Sequence, residues 1–336
     1  MTVAVSIVMA VYNEEKFLQQ AIDSALSQTY PSTDLIVVND GSTDSTKTIL
    51  DNLNDQRVTV IHLEENQGAA NALNIGIEQA SGNWISIHDA DDISYPTKIE
   101  EQVKYIKQNP QLVGVGTLVE YIAGSPNVTQ KLLKRLVKIN KSVISAEQIN
   151  KSKYYICYLT HSSMMFSKEL FWVVGGYNPE FNILYDYDLW LRLLEEGNIA
   201  KVPKVLLKYR VHQDSLSRKN RYKTVNEIQI ASSKAICRLL IHNKQTIQPK
   251  VVVIGPQKAC ENYECNIAPT SGLQVISTIT KNSKKEISKI IKKYHKGQID
   301  GIIMLGRSPK QKYHHILKTA GLTSNRDYFT VFNILK

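Results

Sequence analysis

The sequence predicts an α/β protein built as two units, a larger one around a mostly parallel sheet and a smaller one of similar design. Apolar runs of strand length alternate with amphipathic stretches of helix length through the first 119 residues. Polar segments, Tyr12-Asn13-Glu14, Asn39-Asp40-Gly41 and Asp89-Ala90-Asp91-Asp92, each follow such a run. In open α/β sheets ligands bind beyond the carboxyl ends of the strands, so these segments should share one crevice. The alternation lapses after Gly124 and resumes at Pro249.

The first strand is the apolar run 3–10, and a helix follows over 14–28 with Phe17, Leu18, Ala21, Ile22, Ala25 and Leu26 on one face. A second run, 35–38, closes on Asn39-Asp40-Gly41-Ser42, and Ser42, Thr43 and Asp44 are cap candidates for a helix over 45–53. Strand 58–63, helix 68–80 and strand 84–88 continue the pattern. Pro96 suits the first turn of a helix reaching Gln108, and 112–119 is another strand. Beyond it Ser167 caps a helix that ends near Gly175-Gly176, 187–195 is a short amphipathic helix and 205–211 a strand. In the last part, strands 251–254, 274–280, 301–305 and 328–334 alternate with a Lys-rich helix 284–295 and a helix 309–320. The expected division is a first domain 1–220, a helical linker 221–248 and a small α/β domain 249–336.

A chain of 336 residues with 43% hydrophobic content has material for a sizeable core, and its net charge is +10. The excess is uneven: between Thr129 and Lys153 stand six Lys, one Arg and one Glu. Such a balance suits phosphorylated substrates, anionic lipid or nucleic acid without choosing among them. The four Cys lack C-x-x-C spacing, which reads as reduced thiols. Residues 1–11 lack a basic leader and run straight into Tyr12-Asn13-Glu14-Glu15, so they read as a strand, not a signal peptide. No run of about 18 apolar residues is present, so no membrane span is expected and the protein should lie on the cytoplasmic side.

Carboxylates packed as closely as Asp89, Asp91 and Asp92 repel one another unless a cation lies between them. A hard divalent ion with oxygen ligands, Mg²⁺ or Mn²⁺, answers this where a substrate phosphate completes its shell. Asp-x-Asp alone is a weak signal, because loops are rich in Asp for turn chemistry. Five further segments accompany it: 5–14 (VSIVMAVYNE), 36–44 (IVVNDGSTD), 66–74 (NQGAANALN), 186–192 (DYDLWLR) and Tyr209-Arg210-Val211-His212.

Together and in this order, these segments resemble the family 2 glycosyltransferases of the GT-A fold, a Rossmann-like α/β fold, over about 5–217. The resemblance implies an inverting enzyme that moves a hexosyl or N-acetylhexosaminyl group from a nucleotide-sugar donor, most simply a UDP-sugar, to a hydroxyl of a glycan or glycolipid. It implies Mn²⁺ or Mg²⁺ held by Asp91 and His212, and Asp186 as catalytic base. The donor-binding set it implies is Ala10, Val11, Tyr12, Glu14, Asp40, Asn71, Asp89 and Ala90. Glu14 reads equally as the acidic first turn of its helix, Asp40 as a turn residue before Gly41, and Asp188 competes with Asp186. The family usually carries Glu-Asp where this chain has Tyr185-Asp186, which bears on acceptor orientation and on the base's pKa. The Gln-x-x-Arg-Trp segment of processive synthases is absent, which favours single transfer.

The last 88 or so residues lack G-x-G-x-x-G after their first strand and carry Gly255-Pro256-Gln257-Lys258 instead. They resemble a small Rossmann-like or flavodoxin-like unit without a named ligand, and His314-His315 make a poor metal pair. Segment 128–140 alternates Leu132, Leu133, Leu136, Val137 and Ile139 with Lys131, Lys134, Arg135 and Lys138, which suits peripheral contact with an anionic membrane or an acceptor mouth. Three rival functions remain. A nucleotidyltransferase needs a Gly-rich, Lys/Arg-bearing loop that the 12–15 segment does not supply. A non-catalytic sugar-nucleotide sensor fits the missing Glu at 185. A nucleic-acid binder fits the charge, but no module for it is present, so no nucleic-acid partner is expected.

Overall fold

The computed structural model describes residues 3–212, 220–280, 284–306 and 311–335. It divides into two compact units, Met1–Asn150 with Tyr158–Lys219, and Lys151–Cys157 with Asn220–Lys336. The expected end of the family resemblance, residue 217, lies outside the described residues.

The first unit runs β1 (Val5–Val11), α1 (Leu18–Leu26), β2 (Thr33–Asn39), α2 (Thr46–Asp51), β3 (Val58–His62), α3 (Ala69–Gln79), β4 (Trp84–Ile87), β5 (Ile93–Ser94), α4 (Lys98–Gln108), β6 (Leu112–Ala123), α5 (Gln130–Lys141), α6 (Ala146–Ser152), β7 (Met165–Ser167), α7 (Lys168–Val173), α8 (Tyr185–Glu196) and β8 (Asn198–Val211). Its eight-stranded sheet has the order β3-β2-β1-β4-β7-β6-β8-β5. Neighbours β3, β2, β1 and β4 are parallel, β7 runs antiparallel to both β4 and β6, and β5 to β8. Val8, Met9, Val37, Val38, Ile85 and Ile87 are fully buried, as parallel strands covered on both faces require. Leu18, Ala21, Ile22 and Ala25 of α1 enter the same core.

Several boundaries differ from the sequence expectation for identifiable reasons. Helix α1 starts at Leu18, not at residue 14, because Asn13 adopts a left-handed φ of 52° and the 13–15 loop is tied to the loop after β2. Thr43 N–H donates to Asn13 Oδ1 at 2.8 Å, Glu14 N–H to Thr46 Oγ1 at 3.0 Å and Ser45 N–H to Glu15 Oε2 at 3.0 Å. Pro96 stands outside its helix, whose cap is Thr97. Strand β8 begins at Asn198, well before the expected 205, since it pairs in parallel along the whole of β6. Strands β5 and β7 are too short to show a period. Ser167 does cap α7, accepting from Leu170 N–H at 3.3 Å, and Gly175 and Gly176 follow with φ of 88° and 67°.

The second unit holds four parallel strands, β9 (Lys250–Ile254), β10 (Gln274–Ile279), β11 (Gly301–Gly306) and β12 (Tyr328–Phe332), in the order β10-β9-β11-β12. That is a flavodoxin-like order. The helix Arg221–Lys244 buries Ile236 and Leu240 in this unit. Tyr154 and Tyr155 meet Phe329 and Phe332 edge-on, with centroids 5.4 and 5.7 Å apart. A helical stretch from Gln257 to Ser271, with a π turn at Tyr263–Ile267, had no counterpart in the sequence reading. The helix expected over 309–320 is Gln311–Thr319, its first residues lying outside the described ones. Among the described residues no helix is long and apolar enough to cross a membrane.

Candidate active site

The carboxyl ends of β2, β1 and β4, neighbours in the sheet, carry Asp40, Tyr12 and Asp89. Tyr12 stands 48% exposed at the rim, while Val11 and Ala90 are buried and Ala10 is partly so. Asp40 is 3% exposed and accepts from Gln67 N–H at 2.7 Å and Gly68 N–H at 3.0 Å. It therefore fixes the loop entering α3, where Asn71 Nδ2 donates to Gln67 O at 2.9 Å. Gly41 next to it cannot be replaced without collision. Its φ is 68°, and a Cβ would lie 2.6 Å from the Glu65 carbonyl carbon.

The four residues after His88 divide their work. Asp92 is buried and turns inward: its Oδ1 accepts from Arg210 N–H at 2.7 Å, fastening the loop to β8. Burial, then the charges of Asp91 and Asp89, push its carboxyl well above the usual range. Asp91 turns outward, with Oδ2 at 3.0 Å from His212 Nε2. Arg210 Nε donates to the Asp91 carbonyl at 2.7 Å, and its guanidinium lies 4.0 Å from the centroid of Phe17, whose ring in turn meets His212 at 5.6 Å. Glu14 faces the same group. Its carboxyl is raised by burial first and by Asp91 second, with His212 and Arg210 pulling the other way. Asp91, His212 and Glu14 are thus brought together, whereas Asp40 and Asn71 serve the neighbouring loop.

Asp89 is held twice. Its N–H donates to Ser162 Oγ at 3.0 Å, and its Oδ1 lies 2.9 Å from His161 Nδ1. Burial works against its ionisation, but the charge and hydrogen bond of His161 outweigh that and bring the carboxyl below its ordinary value. Beneath the loop Lys98 is fully buried and donates to Ser162 O at 2.7 Å, and burial brings its pKa down to about 8. His88 is buried too, with Nε2 3.0 Å from Ser24 Oγ. Ser24 Oγ donates to Ala21 O, so the imidazole presents Nε2–H to it.

Asp186 and Asp188, both in the first turn of α8, have different surroundings. Asp188 is buried and accepts at one oxygen from Arg192 Nε at 3.0 Å and Nη2 at 2.6 Å, and Arg192 also donates to Val174 O. Asp186 is only partly buried, accepts from Tyr187 N–H at 2.7 Å and, among the described residues, has no ion-pair partner of its own. Burial raises its carboxyl, and His161 opposes the rise.

The sequence assigns no place in the site to His161, Tyr177, Arg210 or Gly124, and Phe17, expected on the apolar face of its helix, instead precedes that helix as its cap. Gly124 follows β6, and a Cβ there would lie 2.3 Å from His212 Cε1. Arg210 lies within the Tyr209-Arg210-Val211-His212 segment, but only the pairing of β8 with β5 and β6 shows what it touches.

A family model for glycosyl transferase family 2 matches residues 6–175. The chain is 29% identical over 222 residues to an uncharacterized glycosyltransferase of Haemophilus influenzae, covering 63% of this chain and 67% of that one. It is 28% identical over 247 residues to the amylovoran biosynthesis glycosyltransferase AmsE of Erwinia amylovora, covering 72% and 87%. The aligned stretch spans 64% of a relative from Rickettsia typhi and 35% of one from Rickettsia felis. Among solved structures, S. aureus TarS 1–349 in complex with UDP-GlcNAc superposes with a TM-score of 0.56 at 15% identity, over 80% of this chain and 78% of that one. The mannosyltransferase PcManGT of Pyrobaculum calidifontis, in complex with GDP-Man and Mn²⁺, superposes with a TM-score of 0.51 at 18% identity, over 73% and 65%. At those identities the likeness is one of fold. The match across half of the chain, together with the ordered motifs, places this protein in glycosyl transferase family 2.

Proposed function

We propose that this family member is a metal-dependent, inverting glycosyltransferase, taking a hexosyl or N-acetylhexosaminyl group from a UDP-sugar to a hydroxyl of a glycan or glycolipid. The observation that carries the reading is the pairing of Asp91 Oδ2 with His212 Nε2 at 3.0 Å, from two strand ends far apart in sequence. Two donors bound about 2.1 Å from one octahedral ion in adjacent positions stand about 3.0 Å apart, so the pair fits an ion of the Mn²⁺ or Mg²⁺ kind. Among the described residues no group of three or more His, Cys, Asp or Glu is arranged around a single metal position. Water and the donor diphosphate would complete the shell, as is usual for these ions. That a fold neighbour was solved with GDP-Man and Mn²⁺ is in keeping with this.

When bound, the ion would supply charge stabilisation to the departing nucleoside diphosphate. The remaining work falls to the chain. Tyr12 and Asp40 flank the place of the nucleobase, Asp89 and the Ala90 backbone that of the ribose or metal shell, and Glu14 lies beside the nucleotide. Asp186 accepts the proton of the attacking acceptor hydroxyl. Asp188 is committed to Arg192, which favours Asp186 for that part. One displacement by one base inverts the anomeric centre. A panel of nucleotide sugars tested for divalent-dependent hydrolysis and transfer examines the reading. Turnover of at least one donor with Mn²⁺ or Mg²⁺, abolished by EDTA and by Asp186→Asn, is the expected result. Turnover unaffected by EDTA and by Asp186→Asn would remove it.

Peripheral membrane contact belongs to the same reading in a reduced form. The apolar side of α5 packs on its own unit, Leu133 against Val128 and Val211, with Tyr121, Leu132, Leu136 and Tyr209 around them. Lys131, Lys134, Arg135, Lys138 and Lys141 are exposed. Attraction to anionic headgroups or an anionic acceptor would then rest on charge, with Ile139 the one apolar side chain of α5 that stands exposed.

A further inference from the structure

We propose that His161 is a positioning residue: it clamps Asp89 so that only one oxygen of that carboxylate is left to the donor, and it joins the donor loop to the helix of the base. The inference rests on the function proposed above and adds a member to its site. The clamp is built from consecutive residues of a single tight turn, His161–Ser163. His161 Nδ1 meets Asp89 Oδ1 at 2.9 Å while Ser162 Oγ accepts from the Asp89 N–H at 3.0 Å. Side chain and backbone of one aspartate are thus held by two neighbours, and rotation about its side-chain bonds is blocked. Among the described residues, Oδ2 is the oxygen that remains.

The turn itself is not free to follow Asp89. Ser163 Oγ donates to Thr160 O at 2.7 Å, and Ser162 O accepts from the buried Lys98 Nζ at 2.7 Å. The second ring nitrogen is used as well: His161 Nε2 lies 2.9 Å from the Tyr177 hydroxyl. With an ionised Asp89 on one side, Nδ1 carries a proton and donates. The ring plane is set by aromatic edges. Tyr185 stands 5.5 Å away at 87°, Tyr177 5.8 Å away at 72° and Trp190 6.3 Å away at 44°. Tyr185 also meets Tyr177 at 5.5 Å. Tyr185 and Trp190 belong to α8, the helix that carries Asp186, so His161 touches both halves of the site. The residue that departs from the family's usual Glu, Tyr185, is one wall of this box. Burial alone would hold His161 neutral, and it is the charge and hydrogen bond of Asp89, with Asp186 adding to them, that raise its affinity for a proton.

The test uses the full chain and three replacements of His161. Asn offers an amide N–H near the place of Nδ1, Gln offers one near the place of Nε2, and Phe keeps the ring and offers neither. If His161 acts through Asp89, His161→Phe lowers kcat/KM for the nucleotide sugar by about 10–100-fold, the usual range for a residue that orients a ligating or catalytic group. His161→Asn should recover most of that loss and His161→Gln little of it. In an Asp89→Ala background, His161→Phe should have no further effect, because the interaction it removes is already gone. A role in packing alone predicts the opposite ranking, with Phe the mildest change. Wild-type turnover by His161→Phe, no advantage of Asn over Gln, or additive losses in the Asp89→Ala background would each overturn the proposal. A wild-type protein that turns over no nucleotide sugar would count against the proposed activity instead. The same cycle is then read on UDP affinity in Mn²⁺ by calorimetry, with the same ranking expected and additivity again overturning the clamp.

Discussion

His212 Nε2 lies 3.0 Å from Asp91 Oδ2, which joins the end of β8 to the loop after β4. Neither residue reaches the other by its own flexibility. Arg210 holds the Asp91 carbonyl, Asp92 holds the Arg210 N–H, and Phe17 packs on both Arg210 and His212. The pair is preorganised by side chains that need not touch any ligand, the arrangement expected of a site built to receive one.

Gly124 is the first place to test that preorganisation. A Cβ there would lie 2.3–2.7 Å from three atoms of the His212 ring, so Gly124→Ala forces the imidazole away from Asp91. UDP affinity in Mn²⁺ should fall about tenfold or more, as when the support of a ligand is lost, while affinity without metal stays the same. Calorimetric titration of both proteins checks this. Equal metal-dependent affinity would mean that His212 is not needed where it sits.

Asp186 and Asp188 should fail in different ways. Asp188→Asn removes the charge that the partly buried Arg192 pairs with, which costs about 1.5–3 kcal/mol of stability. Asp186→Asn should leave the melting temperature and donor KM nearly unchanged and lower kcat by about 10²–10⁴. Because burial raises the Asp186 carboxyl and a base works ionised, the acid limb of kcat/KM should lie above the ordinary carboxylate range and rise with pH. Thermal melts and pH–rate profiles of the two variants separate the roles. A fully active Asp186→Asn variant would give the part to another group.

His88 sets a pH dependence of stability. Burial, then the neighbouring Lys98 charge, push its pKa down to about 3 from an ordinary value of 6.5. Between those values the unfolded chain binds a proton that the folded one does not, so stability falls as the pH drops from 6.5 toward 3. The slope from this single group approaches about 1.4 kcal/mol per pH unit. Urea midpoints at pH 7, 6 and 5 should therefore drop more steeply for wild type than for His88→Gln. Parallel profiles would show that His88 takes up its proton in the folded state.

The strand-helix order of the first unit was legible because parallel strands buried on both faces read as unbroken apolar runs, as in β1, β2 and β4. The ends of elements were less so. The start of α1 depends on Asn13 reaching Thr43, a contact no local pattern announces. Asp89, Asp91 and Asp186 could be named from motifs, but their division of labour from Asp92 and Asp188 could not. That division is set by Arg210 and Arg192, which decide which carboxylates are spent on structure. His161 was invisible for the same reason: it is a lone histidine in a Ser-rich turn, and its partner lies 72 residues away.

Segment 128–140 shows how packing changes a sequence reading. Leu133 is buried against Val211, Leu132 and Leu136 are half-buried beside it, and Ile139 at 40% exposure is the apolar side chain left on the charged surface. Each basic residue near an anionic membrane contributes about 1 kcal/mol, and this attraction is screened by salt. Co-sedimentation with phosphatidylglycerol vesicles should be measurable at low salt, vanish at high salt and weaken with Lys134→Glu plus Arg135→Glu. Binding that survives high salt would require an apolar surface other than the one α5 has buried.

In the proposed function, Asp91 and His212 make nucleotide binding depend on a divalent ion. Titration of UDP by calorimetry, with and without Mn²⁺, on wild type and Asp91→Ala, tests it most directly. Wild type should bind UDP at least about tenfold more tightly with Mn²⁺, in line with the loss seen when a metal site is dismantled. Asp91→Ala should bind equally weakly in both conditions while keeping its melting temperature. Equal affinity in all four titrations would rule out a metal site at Asp91 and His212.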